Sequence, residues 1–120
     1  MFFKLTNHHF LLKILVGIIA TSCTLKQIKN ESPQINLLEI KQKYKINLPE
    51  NHSNGYIWQL NDDYDRTIID NLNTVWHGNE NGVDFNFNTL SAGQTTLTFV
   101  SRKFTDTGEI KHFIVQIRPK

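Results

Sequence analysis

The chain has 120 residues, 39% of them hydrophobic and 20% charged, with six glycines, three prolines and one cysteine. That composition describes one small domain held by an apolar core, and it excludes a disulfide or zinc framework, a collagen-like repeat and a low-complexity chain. The formal charge of +2 rests on Lys4 and Lys13; without them 11 basic side chains stand against 11 acidic ones, which leaves no cationic surface for a nucleic acid.

Met1 to Lys13 holds those two lysines and precedes an apolar run, Ile14 to Ala20, closed by the small residues Thr21, Ser22 and Cys23. Charged start, apolar centre and small-residue end make a secretory leader. A membrane-spanning helix would need about 20 apolar residues, and Lys13 interrupts the stretch. Because the lone cysteine follows Ala20-Thr21-Ser22, the segment resembles a bacterial lipoprotein signal, in which the cysteine is lipidated and becomes the first mature residue. A free thiol at Cys23 is the alternative. The expected division is a leader over 1–22, a lipidated Cys23 with a polar tether over 23–33, and a folded domain over 34–120. Such a protein is exported to the cell envelope, in the periplasm or at the outer membrane, and held to the membrane through Cys23.

From Ile35 onward short segments alternate apolar and polar residues, which is the pattern of strands buried on one side. Tyr44, Ile46 and Leu48 form one inward face, and the interleaved Lys41, Lys43 and Lys45 are the solvated side of the same strand. Tyr56, Trp58 and Leu60 follow the polar stretch from Pro49 to Gly55. The window from Asp65 to Leu72 is the one place compatible with a helix, and it is too short to form one alone. Val83, Phe85 and Phe87, then Leu97 and Phe99, then Phe113, Val115 and Ile117 complete the alternating set. About seven short strands at this spacing predict an all-β fold, an immunoglobulin-like antiparallel β-sandwich. A monomer without cofactor is the expected state.

Catalytic patterns are weak. His52, His77 and His112 do not share a spacing that would place two on one element face, so a metal site would have to be assembled from distant loops. Ser53 beside His52 lacks the glycine-framed elbow of a serine nucleophile. Asp62, Asp63 and Asp65 lack the glycine and terminal Glu of a calcium loop, and read as solvated loop charge. An enzyme is not expected, and function rests on what the loops bind.

Three loop segments carry a resemblance. Leu48-Pro49-Glu50-Asn51-His52-Ser53-Asn54-Gly55-Tyr56-Ile57-Trp58 is similar to the signature of the chagasin family of cysteine-protease inhibitors, where Leu-Pro leads to an Asn-Pro-Thr-Thr-Gly loop, then an aromatic, any residue and Trp. Asn51, Gly55, Tyr56 and Trp58 match. Gly78-Asn79-Glu80-Asn81-Gly82, entering the Val83 strand and followed by Ala92-Gly93, is similar to the family's glycine-rich loop. Arg102-Lys103-Phe104 stands where the family has Arg-Pro and an aromatic. The likeness spans about residues 35–118. Read structurally, Asn54-Gly55 is a hairpin-turn dipeptide, Gly78 and Gly82 are turn glycines, and Arg102 and Phe104 are a loop cation and a core aromatic.

The resemblance implies a reversible, competitive inhibitor of papain-like cysteine proteases. Asn51, His52, Ser53, Asn54 and Gly55 would form the central wedge. Gly78, Asn79, Glu80, Asn81 and Gly82 would lie along the non-primed groove, and Arg102, Lys103 and Phe104 would reach the primed side. His52 and Lys103 replace prolines of the family pattern, which predicts looser loops and tighter binding on restoring a proline at 52. The competing reading is an immunoglobulin-like envelope lipoprotein that binds another protein or a glycan.

Overall fold

The computed structural model describes residues 25–120, so the leader and the lipidation of Cys23 lie outside the described residues. Eight strands are present among them: β1 (Lys26–Gln27), β2 (Ile35–Glu39), β3 (Lys43–Leu48), β4 (Ile57–Leu60), β5 (Ile69–Trp76), β6 (Val83–Thr89), β7 (Gly93–Lys103) and β8 (Asp106–Arg118). They form two four-stranded sheets, ordered β1-β3-β6-β5 and β2-β8-β7-β4. The fold is an all-β sandwich. Its pairs are antiparallel except at two edges, where β1 runs parallel to β3 and β2 parallel to β8.

Alternation builds the core as expected. Across the β3–β6 pair, Tyr44, Ile46 and Leu48 stand opposite Phe87, Phe85 and Val83, and all six are buried. Directly opposed apolar pairs of this kind are the stabilising unit of a sheet. Leu97 stands opposite Phe113 in the second sheet. The sheets meet through Phe85 and Phe99, whose ring centroids are 4.8 Å apart at 66°, and Phe99 meets Phe113 at 5.6 Å and 87°. Edge-to-face pairs like these add about 0.5–1.5 kcal/mol each beyond their buried area. Lys43 is exposed, and the half-buried Lys45 ammonium lies 3.8 Å from Asp84 on the outer face.

One segment departs from the reading of the sequence, and two others add detail to it. The stretch expected as a polar tether is partly built into a sheet: β1 pairs with β3, the Ile28 N–H donates to the Lys45 carbonyl at 2.9 Å, and Ile28 is 3% exposed. One apolar residue among polar neighbours has no period to detect, yet it is enough to dock a short edge strand. The Asp65 to Leu72 window is a turn leading into β5. There the Asp65 carboxylate accepts from the Thr67 hydroxyl at 2.6 Å and its N–H at 2.9 Å, which holds the carboxyl below its usual range. Asp65 is therefore a turn-forming residue as well as a loop charge. In β2, Leu38 and Asn36 point inward while Ile35 and Leu37 are exposed. Asn36 is tolerated inside because its amide donates to the Asn30 and Ile114 carbonyls at 2.8 and 3.0 Å, and its oxygen accepts from the Asn30 N–H.

Candidate functional site

Register brings three connections to one pole of the sandwich. Leu48, the last residue of β3, pairs with Val83 at the start of β6, which pairs with Trp76 at the end of β5. In the other sheet, Ile57 at the start of β4 pairs with Arg102 near the end of β7, and Arg102 pairs with Thr107 at the start of β8. The loop over 49–56 crosses between the sheets. It lies between the β5–β6 loop (77–82) and the β7–β8 turn (104–105).

The central loop is a single 3-10 turn, His52–Asn54. Asn51 caps it by accepting the Ser53 N–H on its side-chain oxygen at 2.9 Å, and Gly55 ends it at φ 82°, ψ −1°. Asn54 repeats the device by accepting the Tyr56 N–H at 2.9 Å. Polar side chains thus satisfy the backbone locally, and every residue from 51 to 55 remains exposed. The result is a ridge, suited to entering a groove. Asn54-Gly55 is accordingly the exit of a crossover between sheets, and does not form a two-residue hairpin turn.

The loop is also held from beneath and from the side. The Glu50 side chain, 5% exposed, accepts the Trp58 N–H on Oε1 at 2.7 Å and bonds the His52 Nε2 through Oε2 at 2.8 Å. An ionised Glu50 can only accept, which the Nε2–H tautomer of His52 satisfies. The His52 imidazole lies flat on the Trp76 indole, with centroids 3.9 Å apart and planes 10° from parallel. Trp76 Nε1 donates to the Glu50 carbonyl at 3.3 Å, and Trp58 Nε1 donates to the Pro49 carbonyl at 2.7 Å. His52 is thus engaged through both its ring and its backbone. Among the described residues Ser53 has no base: its hydroxyl is 3.4 Å from Asn79, and His52 faces Glu50.

The second loop is tied to the first. Asn79 Oδ1 accepts the His52 N–H at 3.0 Å, and the Asn81 carbonyl accepts from Asn47 at 3.0 Å. Gly82, at φ 73°, packs so closely that a Cβ would stand 2.2 Å from the Leu48 carbonyl oxygen. It is a structural glycine under the ridge. Gly78, at φ 100°, has open space around it, and Asn79, Glu80 and Asn81 are exposed. His77 pairs with Asp84 at 2.9 Å and His112 with Thr98 at 2.9 Å, so the three histidines of the domain serve separate local networks.

The third element is tighter than expected. Lys103 pairs with Asp106 in the β7–β8 ladder, leaving a two-residue turn of Phe104 and Thr105. Phe104 sits at φ 54° and is 93% exposed, so it is no core aromatic. The Lys103 side chain runs beside Gly55, within 3.2 Å of where a Cβ would be, and Arg102 donates to the Thr107 hydroxyl at 3.2 Å. Asn51, His52, Ser53, Gly55, Asn79 and Lys103 are thus brought into one contiguous patch. Glu50 and Trp76 belong to it as well. Trp76 lies outside the three loop segments and Glu50 is not a matching position of the first, because their roles arise from contacts made by the folded chain.

No family model and no curated protein matches the sequence. Solved structures do share the architecture. The crystal structure of the cysteine protease inhibitor EhICP2 from Entamoeba histolytica superposes with a TM-score of 0.62 over 78% of this chain and 93% of that one, at 18% identity. The solution structure of amebosin gives a TM-score of 0.60 over 80% of this chain and 100% of its own, at 13% identity. At such identities the likeness is one of fold.

Proposed function

We propose that the chain is a reversible, competitive inhibitor of papain-like cysteine proteases, with residues 51–55 entering the active-site cleft, residues 78–82 along the non-primed groove and Phe104 on the primed side. One observation carries the reading: a large aromatic is held almost fully exposed, at a positive φ, at the tip of the hairpin that flanks the ridge. Both features oppose folding, since αL geometry strains a bulky residue and exposure forgoes burial. A binding role explains their coexistence. The cysteine protease inhibitor among the similar structures supports the same reading. Nothing covalent is required, because a ridge that fills the groove excludes substrate by occupancy.

Phe104→Gly separates binding from stability. Glycine relieves the positive φ, so chemical denaturation should show a domain equally stable or more stable by up to about 1 kcal/mol. Papain inhibition should weaken by about 1–3 kcal/mol, as for loss of an aromatic anchor. Unchanged inhibition would remove the primed-side role, and a wild type that leaves papain-like enzymes active at micromolar concentration would favour the envelope-module reading.

The anchoring proposal rests on Cys23 following the small-residue tract of the leader. Stable attachment takes more than one acyl chain. Cys23→Ser should move the protein from the membrane to the soluble fraction; a mature protein that starts elsewhere overturns it.

A further inference from the structure

We infer that Glu50 and Trp76 are positioning residues that pre-order the inhibitory ridge by clamping His52 between a buried carboxylate and an indole face. The inference rests on the protease-inhibitor reading and adds Trp76, outside the three loop motifs, and Glu50, which is not among the matching positions of the first. Its basis is convergence of independent contacts on one loop residue. The His52 ring is bonded to Glu50 at 2.8 Å and stacked on Trp76 at 3.9 Å, and the His52 backbone N–H donates to Asn79 Oδ1 at 3.0 Å. Glu50 reaches the scaffold through the Trp58 N–H, and Trp76 reaches Glu50 through its indole N–H. A torsion of the His52 ring away from this place would break the Glu50 bond and the stack together. The loop therefore loses most of its freedom before any partner arrives.

Ordering a loop in advance removes that entropy from the binding step. The clamp should act on association, because a loosened ridge must find its shape within the encounter. Trp76, 44% exposed and seated behind the imidazole, acts through His52.

The test compares the full-length wild type with Trp76→Ala, Trp76→Phe, Glu50→Gln and His52→Pro. Amide hydrogen exchange is read without protease, and association and dissociation rates are read with papain. Trp76→Ala should speed exchange of the His52 and Ser53 amides and slow association by about 10-fold each, with dissociation little changed. Trp76→Phe restores a flat ring and should return both to within about two-fold of wild type. Glu50→Gln still accepts the Trp58 N–H and should give a smaller loss in the same direction. His52→Pro deletes the imidazole and the N–H held by Asn79, so it should weaken inhibition, contrary to what the sequence alone suggests. Exchange unaltered in Trp76→Ala, a defect in dissociation alone, or tighter binding by His52→Pro overturns the clamp. A wild type that fails to inhibit overturns the functional reading, and amide exchange then decides whether the clamp orders the loop.

Discussion

Gly55→Val is expected to weaken papain inhibition by about 100-fold or more while leaving the sandwich folded. Gly55 closes the 3-10 turn at φ 82°, ψ −1°, a left-handed geometry. A non-glycine residue there costs on the order of 1–3 kcal/mol, and a β-branched one lies at the upper end. Space is a lesser obstacle, because the nearest atoms to a new Cβ belong to the flexible Lys103 side chain at 3.2 Å. On the proposed reading, the added methyls would also crowd the surface of the ridge that enters the cleft. With about 1.4 kcal/mol per decade of affinity, the combined torsional and steric terms reach two decades. Gly55→Asn, which tolerates the left-handed region better, should fall between wild type and valine. Inhibition curves for the three proteins against papain check the order, and a valine variant as potent as wild type would remove the ridge from the cleft.

Trp58→Ala is expected to destabilise the domain by about 3–5 kcal/mol in equilibrium denaturation, the range for deleting a buried aromatic. The indole is buried between the sheets' ends and anchors the loop base through its N–H to the Pro49 carbonyl at 2.7 Å. Trp58→Phe keeps most of the bulk and loses that bond, so it should cost about 1–2 kcal/mol. Because Trp58 lies under the ridge, the alanine variant should also blunt inhibition even at temperatures where it remains folded. A Trp58→Ala protein as stable as wild type would contradict the assignment of this residue to the core.

The contrast between β6 and β5 shows what the sequence could convey. In β6 Val83, Phe85 and Phe87 face the core at strict period two, and in β3 Tyr44, Ile46 and Leu48 do the same. Strands covered by the other sheet record burial in their composition. β5 is an edge strand with a register shift between Asn71 and Asn73, and beyond Ile69 it buries no residue. A bulge resets the phase and an edge lacks a second burying surface, so neither leaves a readable period. β1 is shorter still, and its parallel partner is 18 positions away. The same distinction holds at the site. Asn51, Gly55 and Phe104 lie in recognisable segments, whereas Glu50 and Trp76 owe their importance to a histidine stack formed between residues 24 positions apart. One polar residue was also hidden. Asp84 has the polar phase of β6 but is buried, because His77, Asn47 and Lys45 surround it on the outer face.

The direction of the two parallel edges has a consequence for how the domain can be displayed. β1 runs alongside β3 toward the ridge, so Leu25 and Lys26 lie toward the opposite pole, and β8 carries the chain back to that pole at Arg118. Both ends of the described residues therefore lie on the side away from the loops. With 13 residues in β8 at about 3.3 Å each, the two poles stand roughly 40 Å apart. A bead or fusion partner joined after Lys120 would therefore leave the ridge open at the far end of the domain.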